Sequence, residues 1–357
     1  MLNFTVGPVM SNQSVLDIGS KSAPYFRTSE FSDIMIENEK IMLQLLSAPS
    51  ASRCVFLTAS GTGAMESVVM NVLNAQDRVL VINGGSFGKR FADLCRLHQR
   101  EMTEVKLSFG SSLHRENLNE YANQGYTVLL INMHETSSGV LYDIPMVAEF
   151  CRNQGILLVI DAISAFLADE LDMSALGAAV VITGSQKALA VQPGISVVAM
   201  APSALQRVET NPEICMYLSL KDALKNAERG QTPFTPAVTV LLQIHCRLRE
   251  IEAAGGAKAE QRKILETARQ FRDGIKGLPL EIISESCSNA VTALHPLSNT
   301  ATEIVQTLKE AYGIWICPNG GAFADQVFRV GHIGNITRDD NQKLLDALWD
   351  MHRKELL

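Results

Sequence analysis

The stretch Ala178-Ala179-Val180-Val181-Ile182-Thr183-Gly184-Ser185-Gln186-Lys187 is an apolar run that gives way to small polar residues and then to a lysine. A second run, Gly155-Ile156-Leu157-Leu158-Val159-Ile160-Asp161, ends in a carboxylate. Runs this short, with almost no polar alternation, are what strands covered on both faces require. Residues 79–83, 127–132 and 196–200 repeat the pattern. The segments between them carry helical spacing, as in Met146, Val147, Phe150 and Cys151. Strand–helix alternation predicts an α/β domain on a mostly parallel sheet flanked by helices. Ligands of such sheets gather at the carboxyl ends of the strands, where Asp161 and Lys187 stand.

At 357 residues the chain is too long for one ordinary core. Residues 236–278 read as almost wholly helical, broken at Gly255-Gly256. Beyond them, short strands at 290–294 and 313–317 mix with helices at 302–312 and 340–356, which predicts a smaller α+β C-terminal domain. The expected division is 1–258, N-terminal arm included, and 259–357. A net charge of −7 argues against nucleic acid or an anionic membrane as partner. No apolar stretch approaches the ~20 residues of a membrane span. The opening Met1-Leu2-Asn3-Phe4-Thr5-Val6-Gly7-Pro8 lacks the basic and apolar regions of a signal peptide. The seven cysteines include no Cys-x-x-Cys pair and read as reduced thiols. A cytoplasmic location without a metal site is the expectation.

Five segments at strand ends carry candidate chemistry. Ser60-Gly61-Thr62-Gly63-Ala64 follows the apolar run Cys54-Val55-Phe56-Leu57 and opens a helix-like segment. Backbone N–H groups and the positive end of a helix dipole make an anion site there. It has neither the Gly-Lys-Ser/Thr of a nucleotide loop nor the spacing of a dinucleotide fingerprint. Asn83-Gly84-Gly85-Ser86-Phe87-Gly88-Lys89-Arg90 offers an aromatic ring able to lie on a flat ligand. His134-Glu135-Thr136-Ser137-Ser138-Gly139 offers hydroxyl donors. Singly, each has a plain structural explanation: a capped turn, a core phenylalanine, a Ser/Thr turn, a helix cap at Asp161, a solvated Lys187. Their order is what counts: phosphate turn, aromatic, hydroxyls, aspartate, lysine. Pyridoxal phosphate needs the last two, an amine for the Schiff base and a carboxylate to keep its ring nitrogen protonated.

With these segments the chain resembles the class V aminotransferases of fold type I, in the branch of alanine–glyoxylate, serine–glyoxylate and 2-aminoethylphosphonate aminotransferases. The likeness runs from Gly7-Pro8 to the final helix. The family's phosphate motif is matched at residues 60–67. Its Asn-Gly-x-aromatic-Gly-x-Arg segment is matched at residues 83–90 with one residue added. Its His-x-Glu-Thr/Ser segment is similar to His134-Glu135-Thr136, and its Asp and Gln-Lys fall on Asp161 and Gln186-Lys187. The resemblance implies an aspartate-aminotransferase-like fold and a homodimer with shared active sites.

It also implies roles. Lys187 carries the cofactor and moves the proton, and Asp161 faces the pyridine nitrogen. Phe87 stacks where the family often has Trp or Tyr. Thr136 reaches the phenolate oxygen. Ser60, Gly61, Thr62 and Gln186 hold the phosphate, with Thr235 and Thr232 of Thr232-Pro233-Phe234-Thr235-Pro236 added from the other subunit. Gly7 lines the substrate side. Arg329, in Phe328-Arg329-Val330-Gly331, takes the substrate's acidic group by a guanidinium fork, with Arg27 as a second anion contact. The implied reaction moves an amino group from serine, alanine or 2-aminoethylphosphonate to glyoxylate or pyruvate in two half-reactions. The alternatives are a lyase or cysteine desulfurase on the same fold, and a non-catalytic cofactor-binding protein. Gln186 stands where desulfurases place a histidine, and Cys317, beside Pro318, lies in a strand-like run.

Overall fold

The computed structural model describes all residues, Met1–Leu357. Seven strands form the large sheet in the order Arg53–Leu57, Ser196–Met200, Val180–Gly184, Leu157–Asp161, Val128–Asn132, Arg78–Asn83 and Glu101–Lys106. All run parallel except Ser196–Met200, which is antiparallel to both neighbours.

The unbroken hydrophobicity of the strands has a direct cause. Successive side chains point to opposite faces, and each face meets its own core. Leu80, Ile82, Leu129, Ile131, Leu158, Ile160 and Val181 join the larger core, with Met42, Val147 and Leu241 of the helices Ser29–Leu45, Ile144–Gln154 and Val238–Ala253. Val79, Val81, Val128, Leu130, Val159, Val180 and Ile182 join the other, under Met65 and Val68 of Gly61–Asn71 and Phe91 of Ser86–Leu97. Each such side chain fully removed from water contributes about 1.5–3 kcal/mol. Glu101–Lys106 is the exception, an edge strand whose charged residues leave it largely outside the core. For that reason no apolar run announces it.

The second sheet orders its strands Leu2–Phe4, Ile314–Pro318, Phe328–Gly331, Val291–Pro296 and Leu280–Ile282. Its core holds Phe4, Phe271, Phe328, Leu308 and Leu348. The helices Ala301–Tyr312 and Arg338–Arg353 each begin with a reciprocal cap, Thr300 with Glu303 and Thr337 with Asp340. The N-terminal arm was expected with the large domain. Its strand instead pairs parallel with Ile314–Pro318, Phe4 opposite Ile316. The arm is thus built onto the C-terminal sheet.

Candidate active site

Leu157–Asp161 and Val180–Gly184 are adjacent and parallel, with Asp161 opposite Ile182. The two residues singled out from sequence therefore rise from neighbouring strand ends. After Gly184 the chain folds on itself. Ser185 N donates to Ile195 O at 3.0 Å, Val191 N to Ser185 O at 3.0 Å, and Ala190 N to Lys187 O at 2.8 Å. This wound turn fixes the backbone that carries Lys187.

Lys187 is only 9% exposed. Burial pulls its ammonium down to about 8, and Arg329 and Arg90 push the same way, while Cys317 and Asp161 oppose them. Burial raises the Asp161 carboxyl to about 6, against a bond from Ile163 N at 2.9 Å and the pull of Lys187 and Arg90. Both groups are held toward their neutral forms, as expected of charged groups in a dry site.

The other segments converge on this pair. Gly61 approaches so closely that an added Cβ would strike Ile163 Cδ1, two residues past Asp161. Ser60 occupies the N-cap position of Gly61–Asn71 in extended conformation, and no side chain caps that helix. Thr62 Oγ1 accepts from Arg90 Nη1 at 3.0 Å, and the Arg90 guanidinium lies over the Phe87 ring, 4.8 Å from its centre. Thr136 Oγ1 lies 2.8 Å from Ser164 Oγ. Arg329, on the C-terminal sheet, is 9% exposed. Its Nη1 donates to Thr136 O at 3.1 Å, and its Nη2 to Pro318 O at 2.7 Å and Cys317 Sγ at 3.1 Å. Gln186 is half-buried, with its amide folded back toward Gly184. Gly7 packs on Lys187: an added Cβ would sit 2.9 Å from Lys187 Cδ.

Three residues fall elsewhere. Arg27 was expected as a second anion contact. Its guanidinium instead donates to Gln231 Oε1 at 3.2 Å, Thr232 O at 2.9 Å and Pro233 O at 3.2 Å, and it lies over the Phe26 ring. With its donors turned to those oxygens, it braces a loop. Thr232 Oγ1 donates to Phe234 O at 2.7 Å, and Thr235 is exposed. Their segment lies beside Phe56, Leu57 and Thr58, with Phe234 stacked on Tyr217 and Ala237 N donating to Thr58 Oγ1 at 3.1 Å.

Sequence reasoning gave no role to Glu135, Arg90 or Ser164. Glu135 is fully buried and its carboxylate collects N–H groups: Gly88 N at 3.0 Å, Phe87 N at 3.3 Å, Ser137 N at 3.2 Å and Asn132 Nδ2 at 3.0 Å. It sits at the positive end of the helix Ser86–Leu97 and pins the turn that carries Phe87. The signal was available, since Glu135 and Arg90 lie inside quoted motifs. Their partners were not.

Unpaired buried polar atoms test whether pyridoxal phosphate suits this place. His134 Nδ1 and Nε2, Thr183 Oγ1 and Arg329 Nε are buried without a partner. Native interiors seldom leave such atoms unsatisfied. His134 lies near Lys187 and Arg329, and the helix start at Gly61 is uncapped, so neutral donors, helix-end N–H groups and the Nε of Arg329 are left without partners in the neighbourhood of the Lys187–Asp161 pair. A flat ligand with an anionic phosphate and a ring nitrogen fits there.

Fold and site together define a pyridoxal-phosphate enzyme of fold type I. The model of the class-V aminotransferase family matches residues 19–330, and the chain belongs to that family. It is an aminotransferase whose cofactor is pyridoxal phosphate. It is 30% identical to the L-aspartate–glyoxylate aminotransferase of Paracoccus denitrificans over 79% of this chain and 74% of that one. It is 26% identical to the 2-aminoethylphosphonate–pyruvate transaminase of Pseudomonas putida over 88% and 86%. Its fold matches that of an aspartate aminotransferase from Thermus thermophilus with a TM-score of 0.92 over 100% of both chains, at 24% identity.

Proposed function

We propose that this enzyme moves an amino group from a small donor with one acidic group to a small 2-oxo acid, glyoxylate or pyruvate. Alanine, serine and 2-aminoethylphosphonate are the donors this description covers. The observation that carries it is the guanidinium of Arg329 beside Lys187, with the other nearby guanidinium, Arg90, engaged by Thr62 and the Phe87 ring, and Arg27 turned to backbone and side-chain oxygens of a loop. One fork takes one carboxylate or phosphonate. The relatives from Paracoccus and Pseudomonas, named for glyoxylate and pyruvate, support the choice of acceptor.

In this reading Lys187 bears the cofactor, and Asp161 holds a proton on its ring nitrogen. Gly61, Thr62 and Gln186 take its phosphate, and Phe87, backed by Arg90, covers one ring face. The cofactor supplies an electron-accepting ring for the pair left when the donor's α-C–H bond breaks. The proton is the protein's task. Lys187 Nζ is brought toward a neutral amine by burial and by Arg329, so it is suited to take a proton at carbon and return it. Thr136 Oγ1, hydrogen-bonded to Ser164 Oγ, would donate to the phenolate oxygen. Arg329 holds the substrate acid while Thr136 O and Pro318 O hold Arg329.

A homodimer belongs to the same proposal. Thr232 Oγ1 is bonded within its own loop and Thr235 is exposed, and exposed Ile214, Met216, Tyr217 and Tyr25 lie on neighbouring segments. A second copy would cover that apolar surface and bring the threonines to a neighbouring site. The seven cysteines are all free, in keeping with a cytoplasmic location. Cys317, held by Arg329, lacks the free loop a desulfurase requires.

The test is the absorbance of the purified enzyme as candidate donors are added one at a time. Bleaching of the visible cofactor band by alanine, serine or 2-aminoethylphosphonate, and its return with glyoxylate or pyruvate, is the expected result. A band that none of these shifts would overturn the choice of substrates.

A further inference from the structure

The N-terminal arm is moored to the C-terminal sheet at both ends. Phe4 is fully buried in that sheet's core, and Asn335 N donates to Met10 O at 2.8 Å. Between the moorings, residues 5–8 bow toward the large domain. Lys187 Nζ donates to the carbonyl of Val6. Gly7 follows with φ +121°, and an added Cβ would meet Lys187 Cδ at 2.9 Å, Gln186 O at 3.0 Å and Lys187 Cε at 3.1 Å. Only glycine combines that backbone conformation with that approach. Two side chains outside the site wind the bow. Asn3 Oδ1 accepts from Thr5 N at 2.9 Å, and Asn3 Nδ2 and Thr5 Oγ1 donate to Pro8 O at 3.0 and 3.1 Å.

We propose that this bow is a positioning device for the catalytic lysine: the Val6 carbonyl receives the amine of Lys187 whenever the lysine is not joined to the cofactor, and Gly7 sets the path of its side chain. The arm thereby does more than line the substrate side. It gives the amine a fixed resting place from which its proton can be delivered, and it ties that place to the C-terminal sheet that also carries Arg329. Lys187 faces Arg329 and Arg90, which oppose its charge, and Asp161 and Cys317, which favour it, while the buried His134 stays neutral. Val6 O is the one acceptor to which Nζ is hydrogen-bonded.

The inference rests on reading Lys187 as the cofactor-bearing lysine. Its test uses the full-length protein freed of cofactor, so that it fails separately from that reading, which the visible spectrum decides. Acetylation of Lys187 is followed by peptide mass spectrometry across a pH series, with exposed Lys276 as internal control. In the wild type the labelling midpoint is expected near about 8. Gly7→Ala moves the carbonyl away. The ammonium loses an acceptor that favours its charged form, so the midpoint falls by about one to two pH units, roughly a 10- to 100-fold gain in reactive amine below the midpoint. Asn3→Ala unwinds the bow from outside the site and moves the midpoint the same way by a smaller amount. Because Asn3 is only half-buried and its side chain bonds only within the arm, this variant decides the matter where Gly7→Ala fails to fold. A merely covering arm, once loosened, admits water and leaves the midpoint unchanged or higher. That result in folded Asn3→Ala overturns the proposal.

Discussion

Arg329 stands on the C-terminal sheet and Thr136 in the turn that follows His134 and Glu135, yet the Nη1 of one donates to the carbonyl of the other at 3.1 Å. The guanidinium is also anchored by Pro318 O and Cys317 Sγ. Its plane is therefore set before substrate arrives, and the unpaired Nε is left as a donor. Reciprocally, Lys187 of the large domain donates to Val6 on the arm of the C-terminal sheet. Arg329 and Lys187 are thus each held by a carbonyl of the segment that faces them.

Replacing the fork tests its part in recognition. Arg329→Lys keeps the charge but cannot reach Thr136 O and Pro318 O while presenting two donors to an acid. Losing a charge-assisted pair should raise KM for the oxo acid by about 10- to 100-fold. The cofactor's visible band should stay as in the wild type. Equal loss of cofactor and substrate binding would make Arg329 a structural brace.

The phosphate turn gives a second prediction with a built-in rescue. An alanine at Gly61 places its methyl on Ile163 Cδ1. Overpacking of this kind costs about 1–3 kcal/mol, which should weaken cofactor affinity about tenfold. Ile163→Val removes the offending atom. The double variant should bind cofactor nearly as the wild type does, in a fluorescence titration of the cofactor-free protein. A double variant no better than Gly61→Ala would show that the turn fails for another reason.

Glu135 should behave as a structural carboxylate with a spectroscopic signature. Glu135→Gln turns an amide NH2 toward the N–H groups of Phe87 and Gly88. An unsatisfied buried donor costs about 1–3 kcal/mol, so the melting point should drop by several degrees. The visible circular dichroism of the bound cofactor should weaken as Phe87 loses its fixed turn. A variant that melts with the wild type would remove Glu135 from this account.

What was legible in the sequence follows from which forces act locally. The buried strands showed themselves because each residue from Val180 to Ile182 meets a core on one face or the other. The order of Asp161 and Lys187 at strand ends was readable for the same reason. Glu101–Lys106 was invisible, because an edge strand has no need to be apolar. Arg27 was misplaced because its sequence context records only that it is an arginine near aromatics. Its partners lie some two hundred positions away, on the Gln231–Pro233 loop. The arm's attachment to the C-terminal sheet is likewise a pairing between the two ends of the chain, which no local pattern encodes.

The opposed shifts of Asp161 and Lys187 predict when the cofactor-free protein suffers most from its own site. Asp161 has a folded pKa raised from 3.8 to about 6. The folded state then binds more protons in that interval, so stability is lost as pH rises through it, and the loss is complete above about 6. Its size is on the order of 3 kcal/mol. Lys187 is lowered from 10.5 to about 8. The folded state binds fewer protons between those values, so stability lost at neutral pH is recovered as pH rises from about 8 to 10.5. Both penalties are in force together between about 6 and 8, the range in which a phosphate-bearing cofactor would relieve them. Thermal melts of the cofactor-free protein check this by difference. Asp161→Asn, whose Oδ1 can still accept from Ile163 N, should melt with the wild type near pH 4 and above it from about 6 upward. Lys187→Met should melt above the wild type at neutral pH and lose that margin by about 10.5. Margins that do not vary with pH would mean that neither charge is strained by its place in the fold, and the tuning of Lys187 toward a neutral amine would have no basis.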